Sequence, residues 1–182
     1  DRMNGDDRMD KYERMVGDDS MKRVPSLRDV LLFDMGHGDF WISAVDSCGG
    51  IGGEPLDSLA VDPVITGMAT ARVPLLEIMA VGAVPVFASL AVTGGAHTAG
   101  PLIEGARKVL GDELPLIIST EKNMPVSVTG LGVTITGRCG KGDFRGACAK
   151  PGDRLYCAGR PLVGSETLKA GAVLFDLRHL EA

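Results

Sequence analysis

Residues 40–57 read FWISAVDSCGGIGGEPLD, an apolar segment that runs into an aspartate, a glycine cluster and a second aspartate. The apolar part, Phe40 to Val45, predicts a strand. Four glycines between Gly49 and Gly53 predict a place where the main chain turns tightly or approaches a ligand. Bare N–H groups beside the carboxylates of Asp46 and Asp57 suit a phosphate that is held through a metal ion. A glycine-rich turn between two strands explains the same residues equally well.

The composition favours one α/β domain and excludes several classes of protein. The chain has 182 residues, of which 45% are hydrophobic and only 4% aromatic, with 25 glycines. A net charge of −5 argues against nucleic acid or an anionic membrane as the main partner. The chain has no long uncharged apolar run and starts with charged residues, so we expect no membrane span, no secretory signal and a cytoplasmic location. The four cysteines fit no common zinc spacing and are expected to be free thiols.

Residues 1–24 differ from the rest of the chain. Thirteen of them are charged, and a weak six-residue repeat places methionines on three faces of a helix, where they form no stripe. We expect residues 1–24 to be a flexible charged tail and residues 25–182 to be a single domain. A methionine-lined partner site in the tail is the alternative.

The pattern of the domain predicts strands and two helices, in an order that suggests a largely antiparallel sheet with helices on one face. Strands are expected at Val30–Phe33, Phe40–Val45, Leu59–Val64, Val84–Val92, Leu114–Ser119, Val126–Thr136 and 153–158. Helices are expected at Thr66–Val81, Thr98–Leu110 and, as a short turn, Thr167–Ala170. Thr66 is a possible N-cap, and Pro74 kinks the first helix or marks its first turn. The apolar runs 84–92 and 114–119 predict strands buried on both faces.

Standard nucleotide and catalytic motifs are missing. No G-x-x-x-x-G-K-[ST] and no strand-linked G-x-G-x-x-G occurs, and three isolated histidines define no Ser/His/Asp set. The remaining candidates are carboxylates at the ends of apolar segments, namely Asp46, Asp57, Asp62, Glu77 and Glu121.

Five motifs in order resemble the N-terminal, ATP-binding domain of the aminoimidazole ribonucleotide synthetase superfamily. They are SLRD at 26–29, DSCGGIG at 46–52 followed by Asp57, TARVPLLE at 70–77 with VGAVP at 81–85, STEKN at 119–123 and TGLGVT at 129–134. The pattern is most similar to the group that includes the α-ribazole kinases of cobamide (cobalamin) salvage. The match covers roughly residues 26–137.

The resemblance implies a four-stranded sheet with helices on one side, and a homodimer in which two such sheets close into a barrel. It implies Mg²⁺ and ATP as cofactors, with ATP near the subunit boundary and a small-molecule acceptor as the second substrate. By position, it implies metal ligands at Asp46, Glu77 and Glu121. It implies that Asp46, Arg28 and Arg72 act in catalysis. ATP contacts would come from Gly49, Gly50, Gly52, Asp57, Asn123 and Thr129.

The leading hypothesis is therefore a Mg-ATP-dependent kinase that acts on a nucleoside-like acceptor. Two departures from the family motivate alternatives. Glu54 stands where many relatives carry a lysine, and only about 45 residues follow Gly137, where most members have a second domain. The alternatives are a non-catalytic nucleotide-binding or assembly module, or a subunit of a larger ATP-dependent synthetase or maturation complex.

Overall fold

The computed structural model describes residues 22–27, 29–121, 123–146 and 148–157. Strands within these ranges are β1 (Lys22–Leu27), β2 (Val30–Asp34), β3 (Asp39–Gly49), β4 (Ile51–Gly52), β5 (Leu59–Ala60), β6 (Val84–Thr93), β7 (Leu116–Thr120) and β8 (Gly130–Gly140). Helices are α1 (Pro63–Ala80) and α2 (Ala96–Leu110).

The main sheet has six strands in the order β1-β2-β3-β8-β6-β7, and β4 pairs with β5 in a small parallel ladder. All neighbours in the main sheet are antiparallel except β6 and β7, which are parallel because α2 connects them as a crossover. The predicted mixed, largely antiparallel sheet is confirmed. The expected number of four strands is not found, since the sheet continues through β1 and β2. The described sheet is open and does not close into a barrel on itself.

Both helices lie on one face of the sheet, as predicted. Helix α1 packs on β3, β8 and β6, while α2 packs mainly on α1. The core lies between the helices and the sheet. It contains fully buried residues such as Ile42, Ile78, Leu102 and Ile135. The opposite face of the sheet lacks a covering element within the described residues, and the side chains of Val45 and Ile117 are each 65% exposed there.

The two helices cross at a pair of glycines. A Cβ atom on Gly67 would collide with the carbonyl oxygen of Leu102, and one on Gly105 would collide with the carbonyl oxygen of Val64. The backbones therefore touch at this crossing, which brings the N-terminal half of α1 against the middle of α2.

Helix α1 begins earlier than its sequence pattern suggested. Asp62 is the N-cap, its carboxylate accepts a hydrogen bond from the Val64 N–H at 2.9 Å, and Pro63 occupies the first turn. The predicted cap Thr66 is instead buried inside the helix. The predicted strand Leu59–Val64 is wrong beyond Ala60, because this cap starts the helix. Pro74 lies within the helix and is buried.

The remaining boundaries are mixed in outcome. Strands β2, β3 and β6 and the second helix are confirmed, although β3 runs on to Gly49 and α2 starts at Ala96. Strands β2 and β3 pair as an antiparallel hairpin. The expectation that β6 and β7 are buried on both faces is wrong, because β7 is an edge strand and Ala91 of β6 is exposed. No strand forms over 153–157.

Several expectations concern residues outside the described ranges. They are the flexible tail up to residue 21, the repeat within it, the end of the 153–158 strand and the helical turn Thr167–Ala170. Strand β1 begins at Lys22, inside the segment expected to be tail.

Candidate functional site

The glycine loop, residues 49–57, leaves the end of β3 and is fastened to the segment that precedes β8. Gly50 has a φ of +71°, which glycine adopts without strain. Its N–H donates to the carbonyl oxygen of Thr129 at 2.8 Å, and its own carbonyl accepts from the Ser58 N–H at 2.8 Å. The loop is thus a closed turn, and the N–H of Gly50 points to Thr129.

Asp57 and Thr129, both expected to contact ATP, bind each other. The Thr129 N–H donates to Oδ1 of Asp57 at 2.7 Å, and the Thr129 hydroxyl donates to Oδ2 at 2.7 Å. The N–H of Glu54 also donates to Oδ2, at 2.8 Å. Burial raises the pKa of Asp57, but the hydrogen bonds from Thr129 and Glu54 outweigh it and hold the pKa below its ordinary value. The ionised carboxylate of Asp57 therefore fixes the shape of the loop.

Gly52 is required by the same contact. Thr129 is 1% exposed, and a Cβ atom on Gly52 would overlap the Thr129 side chain. A glycine is therefore required at position 52 by packing alone. This agrees with the interpretation of the glycine cluster as a turn between two strands.

The side chain of Glu54 turns into the protein and lies at the N-terminus of α2. Its Oε1 atom accepts a hydrogen bond from the N–H of the N-cap residue Gly95 at 2.6 Å, and the side chain is 3% exposed. The Thr98 hydroxyl and the Gly95 N–H hold the pKa of Glu54 below its ordinary value. Oε1 also lies 3.6 Å from Nε2 of His97. The negative charge of Glu54 is therefore used inside the fold, where the positive end of the helix dipole favours it.

A second carboxylate group lies on the helix side of the sheet. Asp46 continues the helix-facing series of β3 that contains the buried Ile42 and Ala44, and Glu77 reaches towards it from α1. Burial raises the pKa of Glu77, and the charges of Asp29 and Asp46 raise it further. Oε2 of Glu77 is buried and has no hydrogen-bond partner among the described residues.

Cys48 lies two residues beyond Asp46 on the same face of β3. Burial raises the pKa of its thiol, contact with the Thr70 hydroxyl lowers it, and the charges of Asp46 and Asp57 raise it again. The net direction is upward, so the thiol is neutral at physiological pH and is a poor nucleophile.

The expected metal ligands are only partly brought together. Asp46 and Glu77 are electrostatic neighbours, whereas Glu121 follows β7, three strands away from β3 in the sheet. Oε1 of Glu121 accepts hydrogen bonds from the N–H groups of Asn123 and Met124, at 2.5 and 3.1 Å, and so organises its own turn. Among the residues that the structure describes, no group of three His, Cys, Asp or Glu side chains is arranged to hold a metal ion.

The unpartnered oxygen of Glu77 beside Asp46 nevertheless fits a cation. A buried carboxylate oxygen without a donor is costly, and a hard cation such as Mg²⁺ supplies the missing interaction. Two carboxylates with water ligands are a usual set for Mg²⁺.

The expected catalytic arginines and remaining loop residues lie as follows. Arg72 is on α1, five residues before Glu77 and partly buried, while Arg28 is outside the described residues. Asn123 is exposed in the turn after β7, and Gly49 is the exposed last residue of β3.

Sequence reasoning missed three features of this region: the position of Asp29 next to Glu77, the contact of Thr70 with Cys48, and the link from Glu54 to α2. The Gly94-Gly95 pair before a helix was a usable signal for the last of these, because such a terminus attracts an anion.

Comparisons with known proteins give weak likenesses only. No family model matches the sequence, and no curated protein matches it. A thiamine-monophosphate kinase from Stenotrophomonas maltophilia K279a is 19% identical, with a TM-score of 0.44 over 75% of this chain and 42% of that chain. AaThiL complexed with AMPPCP and TMP is 15% identical, with a TM-score of 0.43 over 73% of this chain and 40% of that one.

PurLQS from Thermotoga maritima is 16% identical, with a TM-score of 0.45 over 77% of this chain and 24% of that one. The chain thus spans less than half the length of each of these proteins. Likenesses at this level of identity and shape assign neither a ligand nor an activity to the chain.

Neither of the helices in the described part of the chain combines the length and the hydrophobicity that a membrane span needs.

Proposed function

We propose that the protein is a Mg-ATP-dependent phosphotransferase acting on a small nucleoside-like acceptor, with α-ribazole as the acceptor to test first. The observation that carries the proposal is the pair Asp46 and Glu77 next to the glycine loop. Glu77 keeps a buried oxygen without a donor in a negatively charged surrounding, an arrangement that a divalent cation relieves. The five ordered sequence motifs support the same class of reaction.

In this proposal Asp46 and Glu77 hold the cation. A cation held there would supply positive charge to neutralise a triphosphate and would favour transfer of its terminal phosphoryl group. Gly49 offers a backbone donor on the phosphate side, whereas Gly52 is paired with Ala60 in the β4–β5 ladder. Arg72 supplies positive charge from α1.

Asp57 and Thr129 have a supporting role in the proposed site. Their mutual hydrogen bonds hold the loop in one shape before ATP arrives, so little ordering is needed on binding. Thr129 therefore acts as a positioning residue.

We further propose that the protein works as a cytoplasmic homodimer. The open face of the sheet exposes the side chains of Val45 and Ile117. In a symmetric dimer, the same face of a second copy would cover them. Glu121 lies too far from Asp46 to share a cation within one chain, so any contribution by Glu121 to the site would come from the second copy. Asn123, held in the same turn, would come with it.

The reaction is tested by mixing the full chain with ATP, Mg²⁺ and α-ribazole and following ADP and the phosphorylated product. We expect product that disappears when Mg²⁺ is chelated and when Glu77 is replaced by Gln. Binding of ATP without turnover of α-ribazole or any of a panel of nucleosides would refute the kinase proposal.

A non-catalytic nucleotide-binding module is the second candidate, and one observation favours it. The N–H of Gly50 is already engaged inside the protein, and Glu121 lies apart from Asp46 and Glu77, so fewer groups remain to position a triphosphate for transfer. Calorimetry with ATP and Mg²⁺ separates this module from a purely structural protein. Stable co-purification with a second, different chain would instead indicate a subunit of a larger synthetase or maturation complex.

A further inference from the structure

A cleft lies at the end of the sheet opposite the glycine loop. Its volume is about 560 Å³, and it forms where β3 begins, β8 ends and α1 turns into β6. Charged residues line it, namely Asp39, Arg138, Asp143 and Arg145. Asp39 and Gly49 are the two ends of β3, so roughly 30 Å separates the cleft from the glycine loop. The cleft is therefore distinct from the proposed ATP site.

The loop that carries two of these charges is held at both ends. Nζ of Lys141 lies 2.6 Å from Oδ2 of Asp34, which ties the start of the loop to β2. The N–H of Arg145 donates to the carbonyl oxygen of Val81 at 3.0 Å, which ties its end to the C-terminus of α1. Arg138 belongs to β8, a central strand of the sheet. The charged groups therefore project from an ordered frame.

The remaining residues that line the cleft carry no formal charge. They are Gly82, Val84, Cys139 and Gly140. Cys139 is buried, and its burial, followed by the charges of Asp143 and Asp39, raises the pKa of its thiol. The thiol therefore contributes no charge, and recognition depends on the arginines and aspartates.

The four charges balance without pairing. Two arginines and two aspartates line the cleft, yet within the described chain neither arginine forms an ion pair with either aspartate. A simple anion such as phosphate would use the arginines but would meet both carboxylates with like charge. A ligand that carries a negative and a positive group satisfies both sets at once.

We propose that this cleft binds a small zwitterion, an amino acid or a short peptide. Its carboxylate contacts Arg138 and Arg145, and its ammonium group contacts Asp39 and Asp143. The volume exceeds that of a single small amino acid and lies in the range of ordinary ligand sites, so the cleft also accommodates a dipeptide.

The test is calorimetric titration of the full chain with four probes. L-alanine and L-alanyl-L-alanine carry both charges, while propionate carries only the carboxylate and propylamine only the ammonium group. We expect a zwitterion to bind about tenfold or more tightly than either half-molecule, because each half leaves one charged set without a partner. Comparing L-alanine with the dipeptide distinguishes an amino acid from a peptide as the ligand.

Two variants and one control locate the binding. Arg138→Gln and Asp143→Asn should each weaken binding of the zwitterion about tenfold, whereas Arg107→Gln on α2, outside the cleft, should leave it unchanged. Circular dichroism of each variant verifies that it is folded. Equal binding of phosphate or propionate and the zwitterions, unchanged binding in both cleft variants, or no binding at millimolar concentrations would each overturn the proposal.

Discussion

Oε1 of Glu54 accepts a hydrogen bond from the N–H of Gly95 at 2.6 Å and so joins the glycine loop to the start of α2. The two residues are 41 positions apart, and the glutamate is almost fully buried. The carboxylate occupies the position that a ligand anion would take at a helix N-terminus. Glu54 thus organises the fold around the candidate site.

The hydrogen bond between Glu54 and Gly95 predicts that a small change in the side chain at position 54 lowers stability substantially. Glu54→Gln keeps the shape of the side chain but loses its charge at the helix terminus, so the free energy of unfolding should fall. Urea denaturation at neutral pH measures it. The control Glu104→Gln removes an exposed carboxylate that pairs with Lys108 on the same helix, and it should change stability far less. Equal effects of the two substitutions would contradict the structural role of Glu54.

The hydrogen bonds of Asp57 predict a dependence of stability on pH. The folded-state pKa of Asp57 lies below its ordinary value of 3.8, so its contribution is fully present above that value and is lost as the pH falls through the lower, folded-state pKa. Asp57→Asn should cost about 1–3 kcal/mol at neutral pH, since the buried Thr129 loses charged partners. Stability measured from pH 7 to pH 3 should then decline less steeply in the variant than in the wild type. The exposed Asp112→Asn serves as control, and a decline as steep in Asp57→Asn as in the wild type would contradict the assignment.

The crossing of the helices predicts opposite results for two glycine substitutions. Gly67→Ala places a methyl group against the Leu102 carbonyl and should lower stability by about 1–3 kcal/mol. Gly100→Ala, on the open side of α2 with nothing within 4 Å, should be neutral or should stabilise by up to about 1 kcal/mol through helix propensity. Thermal denaturation of both variants decides the matter. A neutral Gly67→Ala would mean that the helices do not touch at this point.

The proposed dimer through the open face of the sheet predicts that a charged side chain introduced on this face weakens association. Val45→Lys and Ile117→Lys each introduce a charge at a position that is 65% exposed in the single chain and covered in the proposed dimer. Sedimentation equilibrium should show a shift from dimer to monomer in both variants. Leu155→Lys, at a position 98% exposed and outside the sheet, should sediment like the wild type. A monomeric wild type would refute the dimer.

Local patterns predicted the elements that depend on local chemistry. The short apolar segments of β2, β3 and β6 gave correct strands, because runs of strand length with apolar residues reflect burial in a sheet. The apolar run 114–119 does not indicate which strand becomes an edge, so the prediction that β7 is buried on both faces is wrong. Asp62 followed by Pro63 is a local signal for a helix start, which the predicted strand Leu59–Val64 and the predicted cap Thr66 disregard.

Features that depend on distant partners were beyond a local reading. The roles of Glu54 and Asp57 arise from Gly95 and Thr129, which lie 41 and 72 positions away. The pairing of Asp46 with Glu77 was anticipated only through resemblance to a family. The separation of Glu121 from that pair follows from the order of the strands, which no motif encodes.

The central claim is that Asp46 and Glu77 hold the cation of a Mg-ATP site, and one calorimetric comparison tests it most directly. ATP is titrated into the wild type, Glu77→Gln and Glu104→Gln, each with and without Mg²⁺. We expect binding that requires Mg²⁺ in the wild type and in Glu104→Gln. In Glu77→Gln the binding of ATP in the presence of Mg²⁺ should weaken about tenfold or more. A loss of that size is usual when a residue that supports a metal site is replaced. Binding of ATP that is equally tight in Glu77→Gln, or equally tight without Mg²⁺, would contradict the claim.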